Sequence, residues 1–313
     1  MDLTKELRCL EKWIIMSKTL NYYEIEPENN TFVEVVADVT HRCNMSCKNC
    51  YIPNRNIPDM DIDRLIDCVS RFPKRTMIRI IGAEPTMRKD LPEIITRVKQ
   101  AGHKVCVLTN GLRLAKIHYC QQLKDAGLRH IYISMNGVDN DDWYETIDEL
   151  RCAEKKTQAL LNSKKMNFVI DIGCILVKGV NDDAPKRMYE FLNENDIKNC
   201  VIRFKNVGQI GRHMEGIENH TMESLKQSVA KHFGITVEQI DRTSEQVEND
   251  SIVFPVNEKA GLMYKSGIWI KLTNWDADGK TAPLLNSERR GRITQDFKVA
   301  PFFEHVKENE FEY

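Results

Sequence analysis

No run in this chain of 313 residues approaches the ~18 consecutive apolar residues that a membrane-spanning helix requires. Neither sign of charge dominates, since 45 basic residues against 46 acidic ones leave a net charge of −1. A surface built to coat nucleic acid carries a large basic excess, so nucleic acid is not an expected partner. Cysteine is absent after Cys200, and low-complexity segments and long Pro/Gly/Ser linkers are absent throughout. The N-terminus, MDLTKELRCLEKWIIMSKTL, lacks the uninterrupted apolar centre of a signal peptide. Its Leu3, Leu7, Leu10 and Ile14 are spaced for an amphipathic helix with charges between them. These absences lead to the expectation of a cytoplasmic protein with no membrane partner, long enough to bury its own core without disulfide staples.

What is present is a regular alternation. Six stretches rich in β-branched residues, TFVEVVADV, TMIRIIG, KVCVLTN, RHIYISMN, NFVIDIGCI and NCVIRFKNV, read as strands. Between them, amphipathic stretches over Asp61–Arg71, Asp90–Ala101, Arg113–Ala126, Asp142–Leu161 and Asp183–Asn193 read as helices. Pro92 sits in a first turn, and Gly102 and Gly127 stand where two helices should stop. Apolar strands alternating with helices predict a parallel sheet buried on both faces, curled by right-handed crossovers into an α/β partial (β/α)6 barrel of the TIM type. After Gly211 the alternation ends. Thr221–Phe233 reads as a helix, SIVFPV and SGIWIKLTNW as strands, and RGRITQDFKVAPFFEHV as a turn, a strand and a short helix. The expected organisation is an N-terminal helical segment over 1–31, a barrel over 32–212, and a small α+β cap over 213–313.

Of ten cysteines, seven are scattered singly, as small buried hydrophobes usually are. The other three, Cys43, Cys47 and Cys50 in HRCNMSCKNCY, lie in one tight loop directly after the first strand. A structural zinc site wants four ligands, so a zinc reading would have to recruit His41. A four-iron cluster held by three thiolates leaves one iron open to a substrate or cofactor. In parallel α/β folds and barrels, ligands bind beyond the carboxyl ends of the strands, which is where this loop lies.

The spacing C-x3-C-x2-C after the first of six β/α repeats resembles the radical S-adenosylmethionine (SAM) superfamily. That resemblance implies one [4Fe–4S] cluster on Cys43, Cys47 and Cys50, with SAM chelating the fourth iron. It also implies reductive cleavage of SAM to methionine and a 5′-deoxyadenosyl radical, fed by an external reductant such as flavodoxin or ferredoxin. Four further segments match in order. Gly82-Ala83-Glu84-Pro85, after the second strand, is similar to the family's Gly-Gly-Glu-Pro motif and implies contacts to SAM's amino group, with Ala83 in place of the second glycine. Thr109-Asn110-Gly111 ends the third strand as in many members. Ser134-Met135-Asn136-Gly137 ends the fourth, which implies Ser134 beside SAM's ribose or carboxylate and puts Asn136 where the family has an aspartate. Arg203 to Arg212, with Val207 inside it, resembles the segment that packs on adenine. Tyr51 follows the last cysteine as in the branch whose loop ends Cys-Tyr, while Asn49 departs from the usual aromatic.

Relatives with a Cys-Tyr loop often carry auxiliary-cluster cysteines in SPASM or twitch extensions. The tail here resembles such a scaffold with its ligands gone, Pro283 standing near where a cysteine is expected. Its aromatics Trp269, Trp275, Phe297, Phe302 and Phe303 suit a cap docked on the sheet. Loss of the auxiliary cluster favours redox-neutral chemistry. The 31 residues before the first strand leave the expectation of no cobalamin domain and no fused peptide-recognition domain. The expected activity is hydrogen abstraction from a small metabolite or natural-product intermediate. Modification of a ribosomal peptide, supplied through a separate recognition protein, or of RNA, is the alternative within the same chemistry. A non-catalytic zinc- or cluster-binding protein is the alternative outside it.

Overall fold

The structure, a computed structural model, describes residues 22–50, 52, 54–208, 212, 214, 216–250, 261–274 and 290–302. The expected N-terminal helix, the SIVFPV strand, Trp275, Phe303 and the last short helix lie outside these residues.

Six strands form in the expected order: β1 (Glu34–Asp38), β2 (Met77–Ile81), β3 (Lys104–Thr109), β4 (His130–Ser134), β5 (Val169–Ile175) and β6 (Cys200–Lys205). Each pairs with the next in parallel. The helices between them are α1 (Ile62–Ser70), α2 (Leu91–Gln100), α3 (Ile117–Asp125), α4 (Asp141–Asp148), α5 (Ala153–Lys165) and α6 (Ala184–Glu194). Local chemistry sets their starts. Asp61 caps α1 by accepting from the Arg64 N–H, and Asn140 caps α4 by accepting from Asp142 and Trp143. The single helix expected over Asp142–Leu161 is instead two. The chain turns left-handed at Glu149 (φ 55°), and α5 restarts after Cys152.

The tail extends the sheet at both ends. Helices α7 (Met222–Phe233) and α8 (Val237–Asp250) lead into β7 (Leu262–Lys265) and β8 (Ile268–Thr273), an antiparallel pair of which β8 runs parallel to β6. At the other edge, β9 (Arg290–Ile293) runs parallel to β1, and β10 (Val299–Pro301) turns back on it. The result is one ten-stranded open sheet, ordered β10-β9-β1-β2-β3-β4-β5-β6-β8-β7, so the barrel is partial and unclosed. Helix α7 packs against α6 and β8, with Phe233 edge-on to Tyr189 at 5.0 Å between ring centroids. An aromatic pair of that geometry contributes about 0.5–1.5 kcal/mol beyond its buried area.

Strand alternation sorts the side chains, and here the reading of strands apolar on both faces needs correction. In β2, Ile78 and Ile80 enter the main core beneath the helices, while Arg79 and Ile81 face the barrel interior. In β6, Ile202 and Phe204 face the helices, and Arg203 and Lys205 face inward. The inner face is therefore charged. A barrel interior that receives ligands has reason to be so, whereas one that only packs does not.

Candidate active site

The loop from β1 to α1 carries the three cysteines. Its base is clamped by Arg88, whose guanidinium donates to the carbonyls of Val39 and Met60, both at 2.7 Å, while Asp90 holds the same guanidinium at 2.7 and 2.8 Å. The tip then hangs over the carboxyl ends of the strands. Cys43, Cys47 and Cys50 are free thiols, each half-buried, and all three line one cavity of about 230 Å³. Burial pushes the Cys43 and Cys47 thiols up, and the buried carboxylate of Asp148 adds to the effect at Cys47. Arg55 donates to Cys50 Sγ at 3.3 Å and so places a cation beside the ligand set.

Among the described residues, no three His, Cys, Asp or Glu side chains converge on one ion position. His41 is buried, with Nδ1 3.0 Å from the Asn54 carbonyl, and does not line the cavity. Three thiols spread around a common space without converging on one ion position suit a cube of four irons better than a mononuclear zinc ion.

The segment after β2 locks onto this loop through its backbone. Ala83 N–H donates to the Thr40 carbonyl at 2.8 Å and Glu84 N–H to that of Arg42 at 3.0 Å. Gly82 adopts φ 148°, and a Cβ there would stand 2.2 Å from the Thr40 oxygen, so only glycine allows the approach. Glu84 is completely buried. Its Oε1 accepts from Thr86 N–H, Thr86 Oγ1 and Thr109 Oγ1 at 3.0, 2.5 and 2.6 Å, and its Oε2 accepts from Asn110 N–H at 2.6 Å. One carboxylate thus ties the ends of β2 and β3 together. Asn110 passes the connection on, donating to Asn44 Oδ1 at 2.8 Å inside the cysteine loop.

At the end of β4, the Ser134 side chain lines the cavity while its carbonyl accepts from buried Lys156 at 2.9 Å. Asn136 is fixed on three sides: it donates to both oxygens of Asp148 and accepts from Ile175 N–H at 2.9 Å. Burial raises the Asp148 carboxyl above its ordinary range, with Lys156 opposing.

The fold thus gathers Cys43, Cys47, Cys50, Gly82 and Ala83 around one cavity, joined from other strands by Thr109, Asn110, Ser134, Asn136 and Arg203. Glu84, Pro85 and Val207 do not line it. Val207 packs with Ile147 and Val177 instead, and its N–H and carbonyl are both bonded to the Asn219 side chain, at 3.1 and 2.8 Å. Tyr51 lies outside the described residues. Sequence reasoning missed Arg55, Arg79, Asp148 and, from the tail, Arg290, all of which line the cavity, as do Lys205, within the segment likened to the adenine-packing one, and Phe302, one of the aromatics assigned to the cap. The signal existed: MIRII, VIRFK and RGRI each set charged residues at every second strand position or singly between apolar ones, marking an inward polar face.

An open parallel α/β barrel with a three-thiol loop above a polar cavity defines the class. The radical SAM superfamily matches residues 38–192, and the chain belongs to that superfamily, whose members use a [4Fe–4S] cluster and SAM. Over 299 residues the chain is 29% identical to a 7,8-dihydro-6-hydroxymethylpterin dimethyltransferase of Methanocaldococcus jannaschii, covering 87% of this chain and 55% of that protein. It is 29% identical over 181 residues to a GTP 3′,8-cyclase of Lactiplantibacillus plantarum, covering 54% of this chain and 53% of the relative. The chain thus spans about half the length of these curated relatives. Its fold is similar to that of Streptococcus suis SuiB, solved with the precursor peptide SuiA, at a TM-score of 0.61 and 12% identity over 99% of this chain and 66% of that one.

Proposed function

We propose that this chain is a radical SAM enzyme acting on a small molecule by hydrogen abstraction, in redox-neutral chemistry. The observation that carries the reading is convergence. Three thiols from one loop and the ends of β2, β3 and β4 meet around a single cavity at the carboxyl side of the sheet. Cys43, Cys47 and Cys50 would hold the cluster, and the backbone of Gly82 and Ala83, with Thr109, Asn110, Ser134 and Asn136, would hold SAM. Together the cluster and SAM supply one-electron cleavage of SAM to methionine and a 5′-deoxyadenosyl radical, the electron coming from an external flavodoxin or ferredoxin.

The chain's own residues bind and shield. Glu84 keeps two strand ends in register, so that SAM would meet a preformed surface. Phe302, from the tail, packs on Val36, Ile52 and Ile81 beside the cysteine loop and narrows the cavity. A carbon radical must be kept from water and stray hydrogens, which gives the residues after 212 their role as a cover. A small-molecule substrate is supported by the relatives, named for a pterin and for GTP. A ribosomal peptide is the second reading, prompted by the fold neighbour solved with its precursor peptide.

The test is anaerobic reconstitution with iron and sulfide, followed by dithionite and SAM. The reading expects methionine and 5′-deoxyadenosine in equal amounts. Uptake of zinc alone, or a cluster that leaves SAM intact, would end it.

A further inference from the structure

The three loop sulfurs meet different neighbours. Cys43 Sγ accepts from the Met45 N–H at 3.4 Å, with the Asn110 amide 4.0 Å away. Cys47 bonds to the Asp148 carboxyl. Among the described residues, only Cys50 is bonded to a cation, Arg55 Nη2 donating to its Sγ at 3.3 Å.

The other arm of the same guanidinium grips the loop's backbone. Arg55 Nη1 donates to the Ile52 carbonyl and, at 3.4 Å, to the His41 carbonyl, two groups that flank the cysteine segment. The loop's other arginine, Arg42, turns to Asp59, and Arg88 beneath it turns to Asp90. Arg55 lines the cavity instead. Its charge also reaches Cys43, where it opposes the rise that burial causes. As a free thiol, Cys50 donates its proton to the Ile52 carbonyl at 3.2 Å. Bound to iron as a thiolate it has no proton to give, and sulfur and carbonyl oxygen would face each other as two acceptors. Arg55 donates to both, so the guanidinium supplies the hydrogens that ligation takes away.

An iron–sulfur cluster becomes more negative by one charge when it takes up an electron, and hydrogen bonds to its sulfurs favour that reduced state. A guanidinium on a thiolate adds a full positive charge to the hydrogen bond and keeps it at any physiological pH. We infer that Arg55 is a positioning residue for electron uptake: through Cys50 Sγ it stabilises the reduced cluster and raises its midpoint potential. The electron balance is one for one, the cluster being reduced and an external donor of the flavodoxin or ferredoxin class oxidised. The inference rests on the enzymatic reading above and adds to it a residue outside the cysteine motif.

The test is an anaerobic redox titration of the full-length, reconstituted protein without SAM, with dithionite and mediators, following the electron spin resonance of the reduced cluster. In Arg55→Gln samples with full iron content, the oxidised-to-reduced equilibrium should shift about tenfold or more against reduction, a midpoint about 59 mV or more below wild type. Arg55→Lys, which keeps the charge, should lie nearer wild type than Arg55→Gln does. A midpoint in Arg55→Gln that stays within about threefold of wild type, or Lys and Gln variants that coincide, overturns the inference, whatever the variants do to thermal stability. Should Arg55→Gln not assemble a cluster, a wild-type measurement decides. With guanidino-nitrogen-labelled arginine, the reduced cluster should show a nitrogen hyperfine coupling that is lost in Arg55→Lys, and its absence from the wild type overturns the inference. SAM cleavage is assayed on the same samples. Cleavage with an unshifted midpoint refutes the role of Arg55 alone. A shifted midpoint without cleavage refutes the enzymatic reading while supporting Arg55 as a tuner of the cluster, and no cluster in the wild type refutes both.

Discussion

Asn136 Nδ2 stands 3.0 Å from Oδ1 and 3.1 Å from Oδ2 of Asp148, donating to a buried carboxylate that also bonds to Cys47. This accounts for the departure from the family pattern. An aspartate at 136 would have no hydrogen to offer and would set one carboxylate against another. The asparagine is what the partner requires.

Asn136→Asp should therefore destabilise the protein by about 1–3 kcal/mol at pH 8. The sign with pH follows from linkage. The added carboxyl would have a raised pKa when folded, so the folded state would hold more protons than the unfolded one, and stability would fall as pH rises. Urea denaturation at pH 6 and pH 8 checks this. A penalty that is equal at both values, or larger at pH 6, would refute the charge argument.

Glu84→Ala removes an acceptor shared by Thr86, Thr109 and Asn110. Each buried donor left unsatisfied costs about 1–3 kcal/mol, so a large drop in thermal stability is expected. If the two strand ends then lose register, SAM affinity should fall by roughly 5- to 150-fold, about 1–3 kcal/mol, while the cluster remains. Anaerobic SAM titration beside a thermal melt gives both readouts. Full stability with weakened SAM binding would instead mean that Glu84 touches SAM directly.

The barrel, its strand order and the cysteine loop were legible because they are local: β-branched runs, caps such as Asp61, and three thiols within eight positions leave signatures in consecutive residues. What stayed hidden depends on partners distant in sequence. Asp148 lies 101 positions after Cys47 and sits inside what reads as one continuous amphipathic helix until Glu149 breaks it. The tail gave away helix α7 through Thr221, yet nothing local in SGIWIKLTNW and RGRI says that they flank opposite edges of one sheet. Phe297 and Phe302 are both buried as apolar aromatics should be, but only the fold sends Phe297 to the main core and Phe302 to the cavity.

Gly173 is another consequence of the fold. It lies beneath Tyr132, and a Cβ on it would come within 1.7 Å of the tyrosine hydroxyl. Gly173→Ala should force Tyr132 into the cavity that it lines and cost about 1–3 kcal/mol by overpacking. Denaturant unfolding with tyrosine near-UV dichroism would detect it. Wild-type stability and an unchanged tyrosine signal would mean that the ring has room to move.

The tail is fastened to the barrel by a buried ion pair between Arg292 on β9 and Asp38 at the end of β1, with Arg292 also 5.3 Å from the Phe302 ring centroid. Removing one member of a buried pair costs about 3–5 kcal/mol, since the other charge is stranded. Arg292→Met should lose that much, and Asp38→Asn in the same chain should restore part of it. Additive losses in the double variant would show that the two residues are not coupled.

The central claim is that Cys43, Cys47 and Cys50 alone hold one four-iron cluster that cleaves SAM. Iron and sulfide analysis after anaerobic reconstitution, run with the SAM-cleavage assay on each cysteine variant, tests it most directly. The account predicts about four irons per wild-type chain. It further predicts neither cluster nor 5′-deoxyadenosine in Cys43→Ala, Cys47→Ala or Cys50→Ala, and full iron content in Cys106→Ala and Cys174→Ala. A cluster that survives loss of any of the three loop cysteines, or well over four irons in the wild type, would contradict it.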